Sequence, residues 1–352
     1  MTAADTFAAE PDPGFLRELW YLALPGAALP RGKLVARTLL GEPVVLGRGP
    51  DGAPFALRDI CPHRGIPLSC GRMEGGEVEC AYHGWRFDAE GRCTAIPSLV
   101  PDQELDLARI RVARYPAREV QGNVWVFFGK DPDRAPPVPV VEDIGDAAPD
   151  IAQSMTFPGP LDHAVVGLMD PAHGPFVHRS WWWRSRRSMH AKAKRFEPSP
   201  LGFTMVRHRA SSNSRAYRLL GGVPETEIAF RLPSVRIEHV RAGRHVLVGL
   251  TAVTPLKARE TEIHHMIYWT MPWLTALKPL LRPFVRSFLR QDRDIMAKQQ
   301  AGLAWNPPLM LIDDADRPAK WYYRLKNEHA RATAEGRPFV NPVRARELRW
   351  RS

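Results

Sequence analysis

The sequence predicts an α+β protein of two successive domains, an antiparallel β-domain over 1–140 and a helix-on-antiparallel-sheet domain over 141–352. Three observations carry this expectation: strand signals dominate up to about Pro139, a proline-rich acidic connector follows, and the remainder joins alternating strands to one long helical pattern. A length of 352 residues suits two domains of roughly 150 residues each.

Each element has its own signal. "LVARTLLGEPVVLGR" (34–48) and "APFALRDI" (53–60) alternate or run apolar, and the turn signals Gly41-Glu42-Pro43 and Gly49-Pro50-Asp51-Gly52 bound them. "GNVWVFFG" (122–129) closes the first series, and "KDPDRAPPVPVVEDIGDAAPD" (130–150) reads as a linker. Beyond it, "ETEIAFRLPSVRIEHV" (225–240), "RHVLVGLTAVTPL" (244–256) and "ETEIHHMIYWTMPW" (260–273) alternate as half-buried antiparallel strands do, with His264 and His265 as strand residues on opposite faces. "FVRSFLRQDRDIMAKQQ" (284–300) has helical periodicity. No internal repeat or low-complexity tract interrupts the pattern.

Composition narrows the class. An apolar content of 44% describes a globular chain with a sizeable core, and only four cysteines point to a reducing cytoplasm and not to a disulfide scaffold. The first thirteen residues, Met1 to Pro13, lack the charged start and apolar run of a signal peptide. The most apolar stretch, Met266 to Leu289, is broken by Pro272, Lys278, Pro279, Arg282, Pro283 and Arg286, so it predicts a pocket wall or subunit interface and no membrane span. A net charge of +11 is spread along the chain, which argues against a nucleic-acid footprint and suits an acidic redox partner.

The chemistry begins with Cys61-Pro62-His63 and Cys80-Ala81-Tyr82-His83. Two loops that each offer one thiolate and one imidazole are what a Rieske-type [2Fe–2S] cluster needs, with both cysteines on one iron and both histidines on the other. A tetrahedral zinc site is the competing reading, but such sites usually set two cysteines close together and two histidines close together. Gly65 and Gly84 after the loops are expected to turn backbone N–H groups toward the sulfurs. Cys70 and Cys93 fall outside the pattern and read as small buried side chains.

A second constellation, "LMDPAHGPFVH" (168–178), contains Asp170, His173 and His178. Two histidines and one carboxylate on one face of Fe(II) form the triad that leaves positions open for O2. Pro171 and Pro175 forbid a regular helix here, so the two imidazoles are free to converge. Asp170 is placed to accept a hydrogen bond from His173. For the carboxylate, Asp292 falls on the helix face that holds Phe284, Phe288, Ile295 and Met296, while Asp294 points the other way. An aspartate on an apolar face needs a partner, and a metal supplies one. Asp313, Asp314 and Asp316 read as a solvated turn.

Through "CPHRGIPLS" (61–69) and "CAYHGWRF" (80–87) the chain resembles the Rieske non-heme iron oxygenases. The cytochrome bc type of Rieske protein would place additional cysteines at Ile66 and Tyr82, and neither is present. The resemblance implies a START-like or Bet v1-like catalytic domain that binds iron through His173, His178 and Asp292. It also implies that Asp170 joins His173 to His83 of the adjacent chain, hence a ring such as a homotrimer. Gly167 stands where many members have asparagine. No plant-type ferredoxin spacing or dinucleotide fingerprint occurs, so NAD(P)H electrons are expected through a separate ferredoxin or reductase. The length resembles that of vanillate and dicamba demethylases and the pheophorbide oxygenase group, although the membrane helices and Cys-x-x-Cys of the last are missing.

The function thus implied is monooxygenation of a largely apolar aromatic or cyclic molecule by hydroxylation or demethylation. Ring cis-dihydroxylation is the alternative within the enzyme class, and an electron-transfer or sensing protein without mononuclear iron is the alternative outside it. Trp181-Trp182-Trp183 with Arg184, Arg186 and Arg187 is expected at a pocket rim or an interface.

Overall fold

A computed structural model of the chain describes residues 14–100, 102–178, 189–209 and 222–352. The segment with the three tryptophans, Trp181 to Trp183, lies outside the described residues. The first domain contains β1 (Leu19–Pro25), β2 (Val35–Leu39), β3 (Glu42–Arg48), β4 (Pro54–Arg58), β5 (Arg72–Glu74), β6 (Glu77–Glu79), β7 (Arg86–Phe87), β8 (Cys93–Ala95), β9 (Arg114–Tyr115), β10 (Ala117–Val120) and β11 (Asn123–Phe128). These pair antiparallel as three small sheets, β1-β11-β10, β2-β3-β4-β9 and β5-β6-β7-β8. The cysteine–histidine loops connect β4 to β5 and β6 to β7.

The expected linker is tied down and not loose. Trp20 donates its indole N–H to the Pro136 carbonyl at 2.8 Å, and the Gln121 amide side chain bonds both the N–H and the carbonyl of Val141. Val138 and Val141 are buried beside Trp20 and Trp125.

The second domain is one antiparallel sheet of eight strands: β12 (Ile151–Pro158), β13 (Ala191–Ser199), β14 (Gly202–Arg209), β15 (Glu225–Arg231), β16 (Val235–Ala242), β17 (His245–Lys257), β18 (Glu260–Trp269) and β19 (Arg346–Arg351). The order across it is β12-β18-β17-β16-β15-β14-β13-β19. The run 225–240, which reads as one segment in sequence, is two strands, because Leu232-Pro233-Ser234 turns the chain at a residue without an N–H donor.

Helices α1 (Leu161–Met169), α2 (Gly174–Val177), α3 (Pro272–Ala276), α4 (Lys278–Leu303) and α5 (Arg317–Glu335) complete the domain. The expected helix at 284–300 begins earlier, at Lys278, with Pro279 in its first turn and Pro283 inside it. Pro283 leaves the Pro279 carbonyl without an intrahelical partner, but Pro279 is exposed, so water can take that role.

The two sheet faces bury different things. Even-numbered β18 residues Met266 and Tyr268, with Val248, Leu250 and Ala252, pack against Trp20, Trp125 and Phe127 of the first domain. Asn123 donates to the Tyr268 hydroxyl at 2.6 Å, Thr254 donates to the Leu22 carbonyl at 2.6 Å, and Arg37 pairs with Glu262 across the same boundary. Odd-numbered residues face the helices. Ile263 packs in the cluster that includes Leu161, Val165, Leu289 and Met296, each buried side chain contributing about 1.5–3 kcal/mol. Gly159, between β12 and α1, has φ 147°, and a Cβ there would lie 2.4 Å from Met296 Cε, so this bend needs glycine.

Candidate functional site

The two cysteine–histidine loops are copies of one turn. Cys61 donates its N–H to the Ile66 carbonyl at 2.9 Å, and Gly65 donates back to the Cys61 carbonyl at 2.9 Å. In the second loop Cys80 donates to Trp85 at 2.8 Å and Gly84 to Cys80 at 3.0 Å. Gly65 and Gly84 have φ of 73° and 69°, which closes both turns. Their N–H groups bond the cysteine carbonyls and not the sulfurs, contrary to expectation. The donors to the Cys61 sulfur are the backbone groups of His63 and Arg64. Asp59 holds the first loop from behind, accepting from Ser69 N at 2.7 Å and Ser69 Oγ at 2.6 Å.

The loops bring like ligands together. Cys61 and Cys80, 1% and 3% exposed, make a side-chain contact, and the His63 and His83 ring centroids are 4.5 Å apart. The His83 Nδ1 is buried without a hydrogen-bond partner, and Trp85 stacks on His63 at 4.6 Å. An orphaned imidazole nitrogen and paired buried thiols fit an iron–sulfur cluster with cysteines at one end and histidines at the other. A single zinc ion would need all four donors in one close cage. Among the described residues the ligand set found within 4.8 Å of one another is a different one, His173, His178 and Asp292. Burial pushes the Cys61 thiol up, so its anionic form depends on bound metal. Cys93 is buried as expected, whereas Cys70 is exposed, because the single three-residue turn Leu68–Cys70 sends only Leu68 inward.

In the second domain three ligand atoms converge. His173 Nε2 lies 3.2 Å from His178 Nε2, His178 Nε2 lies 3.1 Å from Asp292 Oδ1, and His173 Nε2 lies 3.9 Å from the same oxygen. His173 comes from the bend between α1 and α2, His178 from the end of α2, and Asp292 from the middle of α4. The far nitrogens are occupied: His173 Nδ1 bonds the Asp170 carbonyl at 2.8 Å, and His178 Nδ1 bonds Gln291 Oε1 at 3.0 Å. Both partners are acceptors, so both Nδ1 atoms carry the proton and both Nε2 lone pairs face inward. Two lone pairs and a carboxylate oxygen facing one another repel unless a cation sits among them. Metal–nitrogen bonds of about 2.1 Å at right angles would separate ligand atoms by about 3 Å, close to the two shorter edges. Burial holds the His173 imidazole below its usual range, which keeps it in the neutral, metal-binding form.

Some placements differ from the sequence expectation. The Asp170 carboxylate lies 3.7 Å from His173 Nδ1 and accepts instead from Ala172 N at 2.7 Å, because Asp170 leaves the helix with ψ 116° and presents its carbonyl to the imidazole. Gln291 has no separate sequence signal beyond standing beside Asp292. Phe288 stacks on His178 at 3.8 Å and 16°, while Phe284 and Ile295 of the same helix face remain 57% and 46% exposed. His264 and His265 stand on opposite faces: His264 Nδ1 contacts Ser154 Oγ toward the first domain, and His265 Nδ1 contacts Thr251 Oγ1 under the helices. Burial, with Arg37 nearby, pushes His264 down to about 3. Asp313 pairs with Arg317 and Lys320, and Asp314 with Arg346, leaving no acidic cage there.

A cluster-type loop pair on small β-sheets, joined to a sheet that carries a two-histidine, one-carboxylate site, defines an iron–sulfur oxygenase architecture. Two family models match accordingly: "Rieske [2Fe-2S] domain" over residues 19–116 and "Vanillate O-demethylase oxygenase C-terminal domain" over residues 167–330. The two models together span most of the chain, which belongs to the Rieske non-heme iron oxygenase family, whose members carry a [2Fe–2S] cluster and a mononuclear iron. It is 37% identical to chlorophyllide a oxygenase, chloroplastic, of Chlamydomonas reinhardtii, across 93% of this chain and 51% of that protein. It is 46% identical to the oxygenase subunit of 3-chlorobenzoate-3,4-dioxygenase from Comamonas testosteroni, across 33% of this chain and 27% of that protein. The chain therefore spans about half or less of these two relatives. A crystal structure of dicamba monooxygenase bound to dicamba shares the fold at TM-score 0.74 and 22% identity, covering 91% of this chain and 99% of that one.

Proposed function

We propose that this chain is a terminal oxygenase component that takes electrons from a separate ferredoxin or NAD(P)H-dependent reductase and monooxygenates a largely apolar aromatic or cyclic small molecule. The reaction is hydroxylation or oxidative demethylation, and the domains divide near residue 140. The observation that carries this reading is the convergence of His173 Nε2, His178 Nε2 and Asp292 Oδ1 with both outward imidazole protons tied down.

In this reading Cys61, Cys80, His63 and His83 hold the [2Fe–2S] cluster, and His173, His178 and Asp292 hold Fe(II). When bound, the cluster supplies single electrons and the iron provides the site at which O2 is reduced next to the substrate. The protein's own part is orientation. Gln291 and the Asp170 carbonyl fix the ring angles, and Phe288 covers one face of His178. The Asp170 carboxylate is partly exposed beside His173, which is compatible with its accepting, in this reading, from His83 of a neighbouring copy.

That arrangement requires copies to assemble, as a homotrimer or a multiple of it. Exposed Leu280, Phe284 and Ile295 on α4 and exposed Trp305, Leu309 and Met310 after it supply apolar surface of the kind that subunits cover. Among the described residues no helix is long and apolar enough to cross a membrane. We assign the chain to the cytoplasm, on its cysteine content.

Iron and acid-labile sulfide on anaerobically purified protein test the reading, with EPR of the reduced form. About three irons to two sulfides per chain with a Rieske signal supports it. Two irons to two sulfides, unchanged after Fe(II) addition, makes the chain an electron-transfer or sensing protein. With substrate in hand, one O2-derived atom in a hydroxylated product, or release of the methyl carbon as formaldehyde, supports monooxygenation, and two O2-derived atoms in the product support cis-dihydroxylation.

A further inference from the structure

From Pro272 to Gln291 the chain carries Lys278, Arg282, Arg286 and Arg290 and not one Asp or Glu. This stretch forms α3 and the first half of α4. One side of it is fixed to the protein. Leu274, Leu281 and Val285 pack on Trp269 and Met271, Trp269 Nε1 donates to Thr275 Oγ1 at 3.1 Å, and Lys278 pairs with Asp150 at 2.7 Å. Leu289 is buried in the cluster that also holds Val165 of α1.

The solvent side carries two stripes. Leu277, Leu280, Phe284 and Phe288, three or four residues apart, share one flank of the helix, and Trp273 precedes them by about one turn. All five are exposed, Leu280 the most at 66%. Arg282, Arg286 and Arg290, four residues apart, run along the other flank and are exposed as well. Between the stripes lie Ala276, Pro283 and Ser287, small, uncharged and exposed, so a flat surface can come close. Lys278 is paired, but none of the three arginines is in an ion pair among the described residues.

We infer that this face docks on an anionic lipid surface, with the flank from Trp273 to Phe284 in the acyl boundary and Arg282, Arg286 and Arg290 among the headgroup phosphates. A helix with aromatic and leucine side chains on one flank and arginines on the other lies in the plane of a bilayer interface. Cations held against an anionic leaflet add to the attraction one by one. A second copy is a poor occupant by charge, because it brings its own excess of +11 to a face that is already cationic. Ile295, Trp305, Leu309 and Met310 lie beyond this stretch and remain for contacts between copies. Docking of this kind needs no membrane-spanning helix. Because the apolar flank ends at Phe288, which stacks on His178, a bilayer-dissolved molecule reaches the metal-ligand site from the docked side. That consequence rests on the oxygenase reading, whereas the docking does not.

Flotation of the full chain with vesicles of phosphatidylcholine, alone and mixed with phosphatidylglycerol, tests it. Wild type is expected to bind the mixed vesicles about tenfold more tightly than the pure ones and to lose that margin as salt rises. Arg282→Gln with Arg286→Gln should weaken binding to the mixed vesicles about 25-fold, while Arg282→Lys with Arg286→Lys should retain it, since the attraction is to charge. Leu277→Asn with Leu280→Asn should weaken it about tenfold through lost apolar contact. Circular dichroism checks that these exposed substitutions leave the fold intact, and the arginine pair decides the matter if the leucine pair does not fold. No binding by wild type, equal binding to both kinds of vesicle, or wild-type affinity in the glutamine pair or the asparagine pair overturns the proposal. So does light scattering in which Leu277→Asn with Leu280→Asn has fewer copies per particle than wild type, because the face would then belong to a second copy. Iron analysis of the same samples keeps the two readings apart. Vesicle binding by a chain without mononuclear iron removes the oxygenase alone, and mononuclear iron without vesicle binding removes the docking alone.

Discussion

The loops Cys61–Ile66 and Cys80–Trp85 each close on themselves with the same two backbone hydrogen bonds, whereas His173, His178 and Asp292 meet only because α1 and α4 pack on a common sheet and α2 lies against α4. The first set of proposed ligands is prepared locally, turn by turn, and needs the fold only to set one loop beside the other. The second set is prepared by tertiary structure, and its orientation is fixed by acceptors, Gln291 and the Asp170 carbonyl, that have no ligand role themselves. A local site should therefore fail as a unit when a ligand is lost, and a dispersed site should respond by degrees to changes in the residues that orient its ligands.

Cys80→Ser is the largest perturbation of that contrast. It removes one of two buried thiols that share a side-chain contact, and the cluster should be lost whole, with total iron per chain falling by about two and the Rieske EPR signal absent. A substoichiometric but intact cluster in this variant would show that the loops are less of a unit than their matched hydrogen bonds imply. Asp292→Ala comes next. Iron should fall by about one per chain while the visible spectrum and EPR of the cluster stay as in wild type. Loss of the cluster signal in that variant would mean that the two sites depend on each other for folding.

How much of this was legible in the sequence follows from the same contrast. Cys61, His63, Cys80 and His83 stand out in the sequence because their spacing alone defines the proposed site. Helical phase separates Asp292 from Asp294 in the sequence, and the structure sets the two apart in the same way: Asp292 faces the histidines and Asp294 pairs with Arg293 at the surface. The strands were visible from their alternation, but the turn at Leu232-Pro233-Ser234 was hidden inside a continuous alternating run. Gln291 was not legible, since its value lies in reaching His178 from a different helix. Cys70 departs from its expected burial because a three-residue turn has room for one inward side chain, and Leu68 takes it.

Gln291→Leu sharpens the comparison at smaller amplitude. The substitution keeps the volume near His178 but removes the acceptor for its Nδ1 proton, leaving the ring free to change tautomer or swing. Iron affinity should fall about 10- to 100-fold, read by competition with a chelator, with the cluster untouched. An unchanged affinity would place the burden of orientation on the Phe288 stack instead.

Asp170→Asn should have the smallest effect on iron of the four, and it separates two jobs carried by one residue. The carbonyl that orients His173 belongs to the backbone and survives the substitution, and the asparagine side-chain oxygen can still accept from Ala172 N. Iron content should therefore match wild type. What the variant loses is the negative charge that the proposed contact with His83 of a neighbouring copy requires, so the rate at which a reductase-supplied electron reaches the second domain should fall at full iron occupancy. A variant that loses iron instead would show that the carboxylate, not the carbonyl, holds His173 in place, and that the bond at 2.8 Å is secondary. Retained iron with an undiminished rate would leave Asp170 as a turn-forming residue and remove the structural reason for copies to present His83 to one another.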